Sequence, residues 1–547
     1  MKRIMIYVFV VMWMFSQTGC SDFLDTKPRD FITKESYYQT KEDLFNALGA
    51  TYSPLGTLDM YGRYLSFEAL VDDLGFYNDV NNVLIPQNVI AGWNYSASQG
   101  DVKSMWDNLY TGINRANELM EHIDIPDMDE DLRKTYWAEA LFLRAYYHFV
   151  LASYWGDVPL KEAATESVVD INIPRTPQVE VLLQSVNDIK EAIPFLEPAD
   201  SFSHSGRITK TTAMGILARI YLKMAGEPLN MGQEMYEQAL FYAEAVKASG
   251  LHSLNPSYDQ IFVNLMTDQY DVQHRESMWE AEFYGNSATD PGKGRAYSAL
   301  GTRIGVRCDS DLPHGYCYGR FQPRPKLARL YLEGGNKEDN TPNDSRFYRS
   351  ISSYSYVRSG TSYVVNNLNI VNLDSNLTSR YIAKWRRIEE TLTPRHKEYT
   401  SANFPIIRYA DVLLMLAEAE NELNGPTEKA HDALNEVRRR ANVYTYENSN
   451  PDPDHHRIMD ENKFRKVIQD ERARELCFEG IRKHDLVRWG IFVSEMQAAA
   501  ETGLGYSGDL RTRLTDVASK MTDQYTLFPI PQSEINLNKD MEQNKGW

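Results

Sequence analysis

Glu418, Glu420 and Glu422 are the first residues whose chemistry must be weighed. Paired carboxylates hydrolyse glycosidic bonds when held ~5–9.5 Å apart across a sugar. Here they fall within residues 404–424, where Val412, Leu413, Leu416, Ala419 and Leu423 recur at helical spacing. That pattern predicts an amphipathic helix with the acids on a solvated or salt-bridged face. Glu471, Arg472, Arg474 and Glu475 have three- and four-residue spacings that permit intrahelical pairs, each worth a few tenths of a kcal/mol. An acidic loop with Glu338, Asp339, Asn343 and Asp344 offers oxygen ligands for a structural calcium, but it lacks the Asp-x-Asp-x-Asp-Gly order of a dedicated calcium loop. The eleven His show no ligand spacing, and His455-His456 reads as solvated in a Pro/Asp loop. There is no C-x-x-C or H-E-x-x-H for zinc, no G-x-S-x-G elbow, no phosphate loop and no dinucleotide fingerprint. The expectation is a protein that is not an enzyme and holds no metal or other cofactor.

The cysteines point to export. Lys2 and Arg3 precede twelve apolar residues, Ile4 to Phe15. That run is too short to span a bilayer, which takes ~20 residues, and it has the form of a secretory signal. Thr18-Gly19-Cys20 looks like a lipobox, with acylation of Cys20 after cleavage, although Gln17 departs from the usual Leu. Ser21, Asp22 and Asp25 give the mature chain an acidic start. Cys308 and Cys317 lie in a Gly/Pro-rich stretch where an exported protein can form a disulfide. Cys477 sits in a helical pattern and reads as a small apolar residue.

The elements that must position these residues are mostly helices. The 547 residues are 42% hydrophobic and 24% charged, an ordinary globular composition. The net charge of −18 argues against nucleic acid and against a polybasic membrane surface. Apolar periodicity predicts helices over 101–124, 130–155, 178–196, 209–225, 233–249, 405–424, 427–441 and 461–479. Three of them repeat a small–large–small spacing: Ala145/Phe149/Ala152, Ala218/Leu222/Ala225 and Ala410/Leu414/Ala417. That spacing lets a neighbouring helix approach closely and occurs in tetratricopeptide repeats, as does Trp106-x-x-Leu109. Residues 56–100 and 285–400 break the pattern and read as long loops with short strands, such as Ser355-Tyr356-Val357 and Tyr363-Val364-Val365.

Several ordered segments resemble the SusD/RagB family of outer-membrane lipoproteins. They are Cys20 to Pro28, AEALFLRAYYHFVLASYWGDVP from Ala138, FPIIRYADVLLMLAEAEN from Phe404, DERARELCFEGIRKHDLVRWG from Asp470, and the ending LFPIPQSEINLNKDMEQNKGW from Leu527. The resemblance implies a mainly α, single intertwined fold of about four tetratricopeptide-like helix pairs, with long loops and a few short strands. It implies a signal peptide over 1–19, an acylated tether over 20–40, a helical region over 41–256, a loop-rich ligand face over 257–400 and a C-terminal helical region over 401–547. It also implies a non-catalytic, lipid-anchored protein on the cell surface that captures glycan for a SusC-like TonB-dependent transporter. The same scaffold carrying peptides or another nutrient is the alternative, followed by an α-rich glycoside hydrolase.

Sugar binding needs a flat ring for the C–H face and polar groups for the hydroxyl edge. Trp93 is the expected platform, with Tyr95 or Tyr77 beside it and Asn94 and Asp73 at the edge. A second cluster is Tyr316, Tyr318 and Arg320; the two tyrosines point the same way if the segment is extended. A Cys308–Cys317 bridge would stiffen that loop. Residues 293–329 carry an excess of six positive charges. If these side chains converge, an anionic glycan is favoured; otherwise they pair with the protein's own carboxylates or its partner.

Overall fold

The computed structural model describes residues 37–63, 65, 70–78, 90–166, 172–286, 297–309, 315–335, 341–360, 362–368, 379–450 and 452–547. The signal segment, Cys20, Lys293, Arg295, Glu338 and Asp339 lie outside these residues. The helices form where apolar residues recur every three to four positions. They are α1 (Lys41–Tyr52), α2 (Gly100–Glu121), α3 (Glu130–Trp155), α4 (Gln178–Ala192), α5 (Lys210–Ala225), α6 (Gln233–Ala248) and α7 (Tyr258–Thr267). A second run comprises α8 (Pro325–Glu333), α9 (Tyr409–Asn424), α10 (Glu428–Arg440), α11 (Glu461–Leu476), α12 (Arg482–Arg488) and α13 (Phe492–Leu504). Among the described residues, no helix is long and apolar enough to cross a membrane.

Helices stack on their neighbours: α2 on α3, α3 on α4, α5 on α6, α6 on α9, and α9 on α10 and α11. The three small–large–small triads lie in α3, α5 and α9, and all nine side chains are buried. Gly112 in α2 shows how close the approach is: a Cβ there would sit 2.4 Å from the Tyr147 ring of α3. The fold is mainly α, as expected, with a few short strands.

Two local expectations change. Residues 404–408 are not helical; they form strand β6, antiparallel to Ser277–Ala281 (β2), with Trp279 opposite Ile407. Pro405 has no N–H to continue a helix, and a two-stranded edge tolerates it. Within the stretch expected to hold only loops and strands, α8 is a helix, opened by Pro325 in its first turn. The remaining strands match the expected short runs. Gly75–Tyr77 (β1) pairs antiparallel with Phe321–Pro323 (β3) and so joins the two loop-rich segments. Tyr354–Ser359 (β4) and Ser362–Asn367 (β5) form a hairpin with Tyr356 opposite Val365 and Val357 opposite Val364.

Buried charge ties the loop-rich segment to the helices. Arg346 pairs with Asp344, Glu471 and Glu475; Arg408 with Glu276, Glu475 and Glu479; Arg440 with Glu276 and Glu475. Arg438 and Arg474 also reach Glu471, Arg474 reaches Glu333, and Lys384 reaches Glu479 at 2.5 Å. Six cations thus face six carboxylates. The expected intrahelical pairing of Glu471, Arg472, Arg474 and Glu475 is therefore mostly replaced by partners from distant segments. The C-terminal strap closes over the end of α3: the Trp155 Nε1–H donates to the Pro529 carbonyl at 3.0 Å, and the Phe528 N–H to the Tyr154 carbonyl at 2.7 Å.

Candidate functional site

The N-terminal loop delivers its aromatics to the core. Trp93 is 2% exposed and adopts a left-handed backbone, φ 53°, which is uncommon for a bulky side chain. Its ring stacks on Phe492 of α13 at 5.7 Å, lies 6.2 Å from Tyr95, and has the Lys483 ammonium 4.7 Å from its centre. Tyr95 stacks on the C-terminal Trp547 at 5.4 Å. Tyr77 is buried edge-on to Phe321 at 5.4 Å. Trp93, Tyr95 and Tyr77 are thus filled by protein on the faces a sugar would need. Asp73 is fully buried, accepts from Arg482 at 2.9 and 2.7 Å and also binds Lys326. Burial opposes its ionisation, but these two cations hold its carboxyl well below the usual range. Asp72 accepts from the Leu74 and Gly75 N–H groups, and burial beside Asp73 pushes its carboxyl up. Of this cluster only Asn94 remains exposed.

The second cluster stays at the surface. Tyr316 and Tyr318 are partly exposed and point the same way, ring centres 4.8 Å apart and edge-to-face. Gly319 follows at φ 58°; a Cβ there would meet Arg307 at 2.6 Å and the Tyr381 ring at 2.8 Å. Only glycine lets the chain turn so tightly between Tyr318 and Arg320. Arg303 lies 4.2 Å and Arg320 5.3 Å from the centre of the Tyr318 ring. The Tyr318 hydroxyl donates to Glu398, which also pairs with Arg303 at 2.5 Å. Burial and that carboxylate both push the Tyr318 hydroxyl upward, so it stays protonated.

The segment that supplies Glu398 adds residues the sequence reading missed. Lys397 sits 4.6 Å over the Tyr316 ring. Tyr399 lies 4.1 Å from Tyr297 and stacks on His396 at 5.2 Å. The backbone pairing of Ser298 with Thr400 brings residues 297 and 399 together. The result is a patch of four tyrosines and a histidine, all partly exposed and rimmed by Arg303, Arg307, Arg320 and Lys397. The two rings enclosing two charges in His396-Lys397-Glu398-Tyr399 are the available signal.

The basic excess over 293–329 does not assemble into one cationic face among the described residues. Arg324 is buried and donates to the carbonyls of Asp72, Gly75 and Leu514. Lys326 binds Asp73 and Glu495, and Arg307 binds Asp309 at 3.3 Å. Cys308 and Cys317 face each other through two reciprocal backbone hydrogen bonds of 2.9 Å, their sulfurs not bonded to each other in this structure. The tempting carboxylates are engaged: Glu418 with Arg488 and the Trp489 indole, Glu420 with Lys429 and Thr427, Glu422 with Arg465. Of the two faces expected for these acids the structure has the salt-bridged one, with Glu418 and Glu420 buried in their pairs. Asp344 of the proposed calcium loop is fully buried on Arg346, and no cluster of metal-ligating side chains occurs among the described residues.

The sequence model of the SusD family matches residues 268–547, and a second, described as starch-binding associating with outer membrane, matches residues 22–222. The chain belongs to the SusD family. SusD-like protein P25 of Formosa agariphila is 27% identical, over 98% of this chain and 97% of its own length. The starch-binding protein SusD of Bacteroides thetaiotaomicron is 24% identical, over 85% and 81%. Among solved structures, a SusD homolog from B. thetaiotaomicron superposes with a TM-score of 0.81 at 28% identity, covering 94% of this chain and 98% of that one. Surface glycan-binding protein A of the same species, in complex with laminarihexaose, gives a TM-score of 0.67 at 21% identity over 92% and 100%, a likeness of fold. In this SusD-family chain two of the segments that carried the resemblance, residues 404–424 and 470–490, supply Arg408, Glu471, Glu475 and Glu479 to the buried ion pairs; the partly exposed tyrosines lie elsewhere.

Proposed function

We propose that this protein is a surface-exposed outer-membrane lipoprotein, anchored through acylated Cys20, that captures oligo- or polysaccharide for a SusC-like TonB-dependent transporter. The observation that carries the reading is the patch of Tyr297, Tyr316, Tyr318 and Tyr399, because partly exposed rings beside guanidinium and carboxylate groups suit both the faces and the edges of a sugar. The starch-binding and laminarihexaose-bound relatives support a glycan as the class of ligand. The proposed role is capture without chemistry. Asn94 is kept as a candidate edge contact, and a Cys308–Cys317 bridge would lower the entropy lost when the loop binds.

The test is affinity electrophoresis of the full-length protein and of a Tyr316→Ala/Tyr318→Ala variant against neutral and acidic polysaccharides, with assay for new reducing ends. Retardation of wild type alone, with no new ends, is expected. New reducing ends that vanish on replacing one carboxylate would establish a hydrolase instead. Failure to bind any polysaccharide, with protection of peptides by the transporter complex, would move the cargo to peptides.

A further inference from the structure

A cavity lined by none of the patch tyrosines lies between α3, α5, α9 and α12. It holds about 70 Å³, room for roughly five water-sized bodies. Its walls include Leu65, Phe149, Val150, Leu222 and Ile406, and its rim is formed by the partly exposed Tyr61, Arg219 and His484.

The charges around it do not balance. Arg219 pairs with Asp411; Arg472 with Asp411 and Asp485; Arg488 with Asp485 and Glu418. Three guanidinium groups thus meet three carboxylates, and the one further carboxylate on the wall, Glu479, is taken by Arg408 and Lys384. Lys223 is the fourth cation on the cavity wall. It is 6% exposed, and no carboxylate or hydrogen-bond partner meets it among the described residues. The neighbouring network around Arg408 has no such surplus. A buried ammonium without a counter-charge is costly. Burial, then Arg488 and Lys483, draw Lys223 down to about 8, so it is still mostly protonated at neutral pH.

Two further polar groups face the same space. Ser153 is 6% exposed, and its Oγ is buried without a hydrogen-bond partner. His484 packs edge-on to Tyr154 at 4.6 Å, and burial holds its imidazole well below its ordinary range, so the ring is neutral with one N–H to donate. The Tyr61 and Tyr146 hydroxyls are bonded to each other.

We infer that this cavity is a binding site for a short aliphatic carboxylate of acetate to propionate size. Lys223 supplies the counter-charge, Ser153 and His484 donate to the second oxygen, and Leu65, Val150 and Leu222 enclose the alkyl end. An apolar wall with one unbalanced ammonium and a free hydroxyl selects a small amphiphilic anion over a sugar, whose ring of hydroxyls would go unpaired against the aliphatic wall.

The experiment is thermal unfolding of the full-length protein at constant ionic strength in propionate, chloride or gluconate, the last too large for the cavity. Wild type is expected to melt higher as propionate rises, saturably, and to be flat in gluconate and chloride. Lys223→Met, which removes the charge and keeps the volume, is expected to melt above wild type without propionate and to lose the propionate response. An equal response in the variant, or a flat wild type, overturns the inference; an equal rise in chloride makes this a halide site and overturns the carboxylate. Should the variant fail to fold, wild-type crystals grown with 2-bromopropionate decide: an anomalous bromine peak within contact of Leu65 and Leu222 supports the site, and its absence refutes it.

Discussion

Trp93→Ala separates a core ring from a sugar platform. The indole is 2% exposed and touches Phe492, Tyr95, Tyr525 and the Lys483 ammonium. A buried aromatic removes ~150–250 Å² from water, which at ~25 cal/mol per Å² is ~4–6 kcal/mol as an upper bound. Truncations of buried Trp cost about 3–5 kcal/mol once the cavity is included, and the two figures agree. The variant should therefore lower the guanidinium midpoint markedly, while its folded fraction keeps its polysaccharide affinity. Tyr318→Ala should behave in the opposite way. Its ring is partly exposed, so stability should change little, and loss of a central ring contact worth about 1.4 kcal/mol weakens binding tenfold. Tyr318→Phe keeps the ring, gives up the hydroxyl's bonds to Glu398 and Tyr316, and should bind nearly as wild type. Unfolding by circular dichroism and affinity electrophoresis on the same preparations read both quantities. If Trp93→Ala abolishes binding with an unchanged midpoint, the indole is a ligand platform and the reasoning fails.

Burial disfavours the Glu471 carboxylate, yet Arg346, Arg438 and Arg474 hold it down at about 2. A folded value lowered from 4.5 gives stability that is full above the unfolded value and fades as pH falls toward about 2; the shift corresponds to about 3 kcal/mol. Glu471→Gln should thus destabilise the protein at neutral pH by roughly 3–5 kcal/mol and flatten the loss of stability below pH ~4.5; parallel acid limbs for the two proteins would contradict this. Cys308 and Cys317 sit opposite each other in a hydrogen-bonded antiparallel pair, a geometry with Cα atoms about 5.5 Å apart, inside the range a disulfide spans. In mature protein purified from cells, denaturing alkylation without reductant should label Cys477 alone, and labelling of all three would show that the loop is not bridged. Gly112→Ala places a methyl 2.4 Å from the Tyr147 ring and should cost ~1–3 kcal/mol by overpacking, read as a lowered melting temperature; an unchanged value would mean that α2 and α3 can separate freely.

What could be read from the sequence was what local spacing determines. The boundaries of α3, the C-terminal end of α9 before Gly425, the extent of α10 and the start of α11 follow from apolar periodicity and local end signals, because a helix buries one face whatever it packs against; α11 stops at Leu476, short of the expected 479. Residues 404–408 were misread since their strand partner, residues 277–281, is far along the chain. The same distance explains Trp93. A tryptophan in a Gly/Asn-rich loop suits a sugar and a core equally well, and what buries it, Phe492 and Tyr525, comes from the other end of the sequence. Tyr316 and Tyr318 were readable because their alternation is local, whereas Tyr297 and Tyr399 meet only through the pairing of two remote segments. The Glu471 and Glu475 spacing suggested weak pairs on one helix, and three of the arginines that outcompete them belong to other segments: Arg346, Arg408 and Arg440.

That network also explains how a loop-built face holds its shape. Loops 285–400 have little repetitive backbone bonding of their own beyond one hairpin, one short strand, α8, a single helical turn at Phe347–Ser350 and a 3-10 turn at Arg387–Glu389 among the described residues. Asp344, Arg346 and Lys384 from this segment are fully buried against Glu471, Glu475 and Glu479 at the end of α11, and Arg408 and Arg440 meet the same acids from β6 and α10. Removing one partner leaves a buried charge exposed to its neighbours' repulsion, so any displacement of the loop base is penalised by several kcal/mol. Hydrophobic contacts alone would tolerate sliding; paired guanidinium and carboxylate groups fix both position and angle. Arg387, three residues beyond Lys384, bonds to the His396 carbonyl and to Glu390, and so ties the tyrosine patch to the chain segment that carries Lys384 into this base. The rings at the rim can therefore change without disturbing what positions them, and the buried pairs cannot.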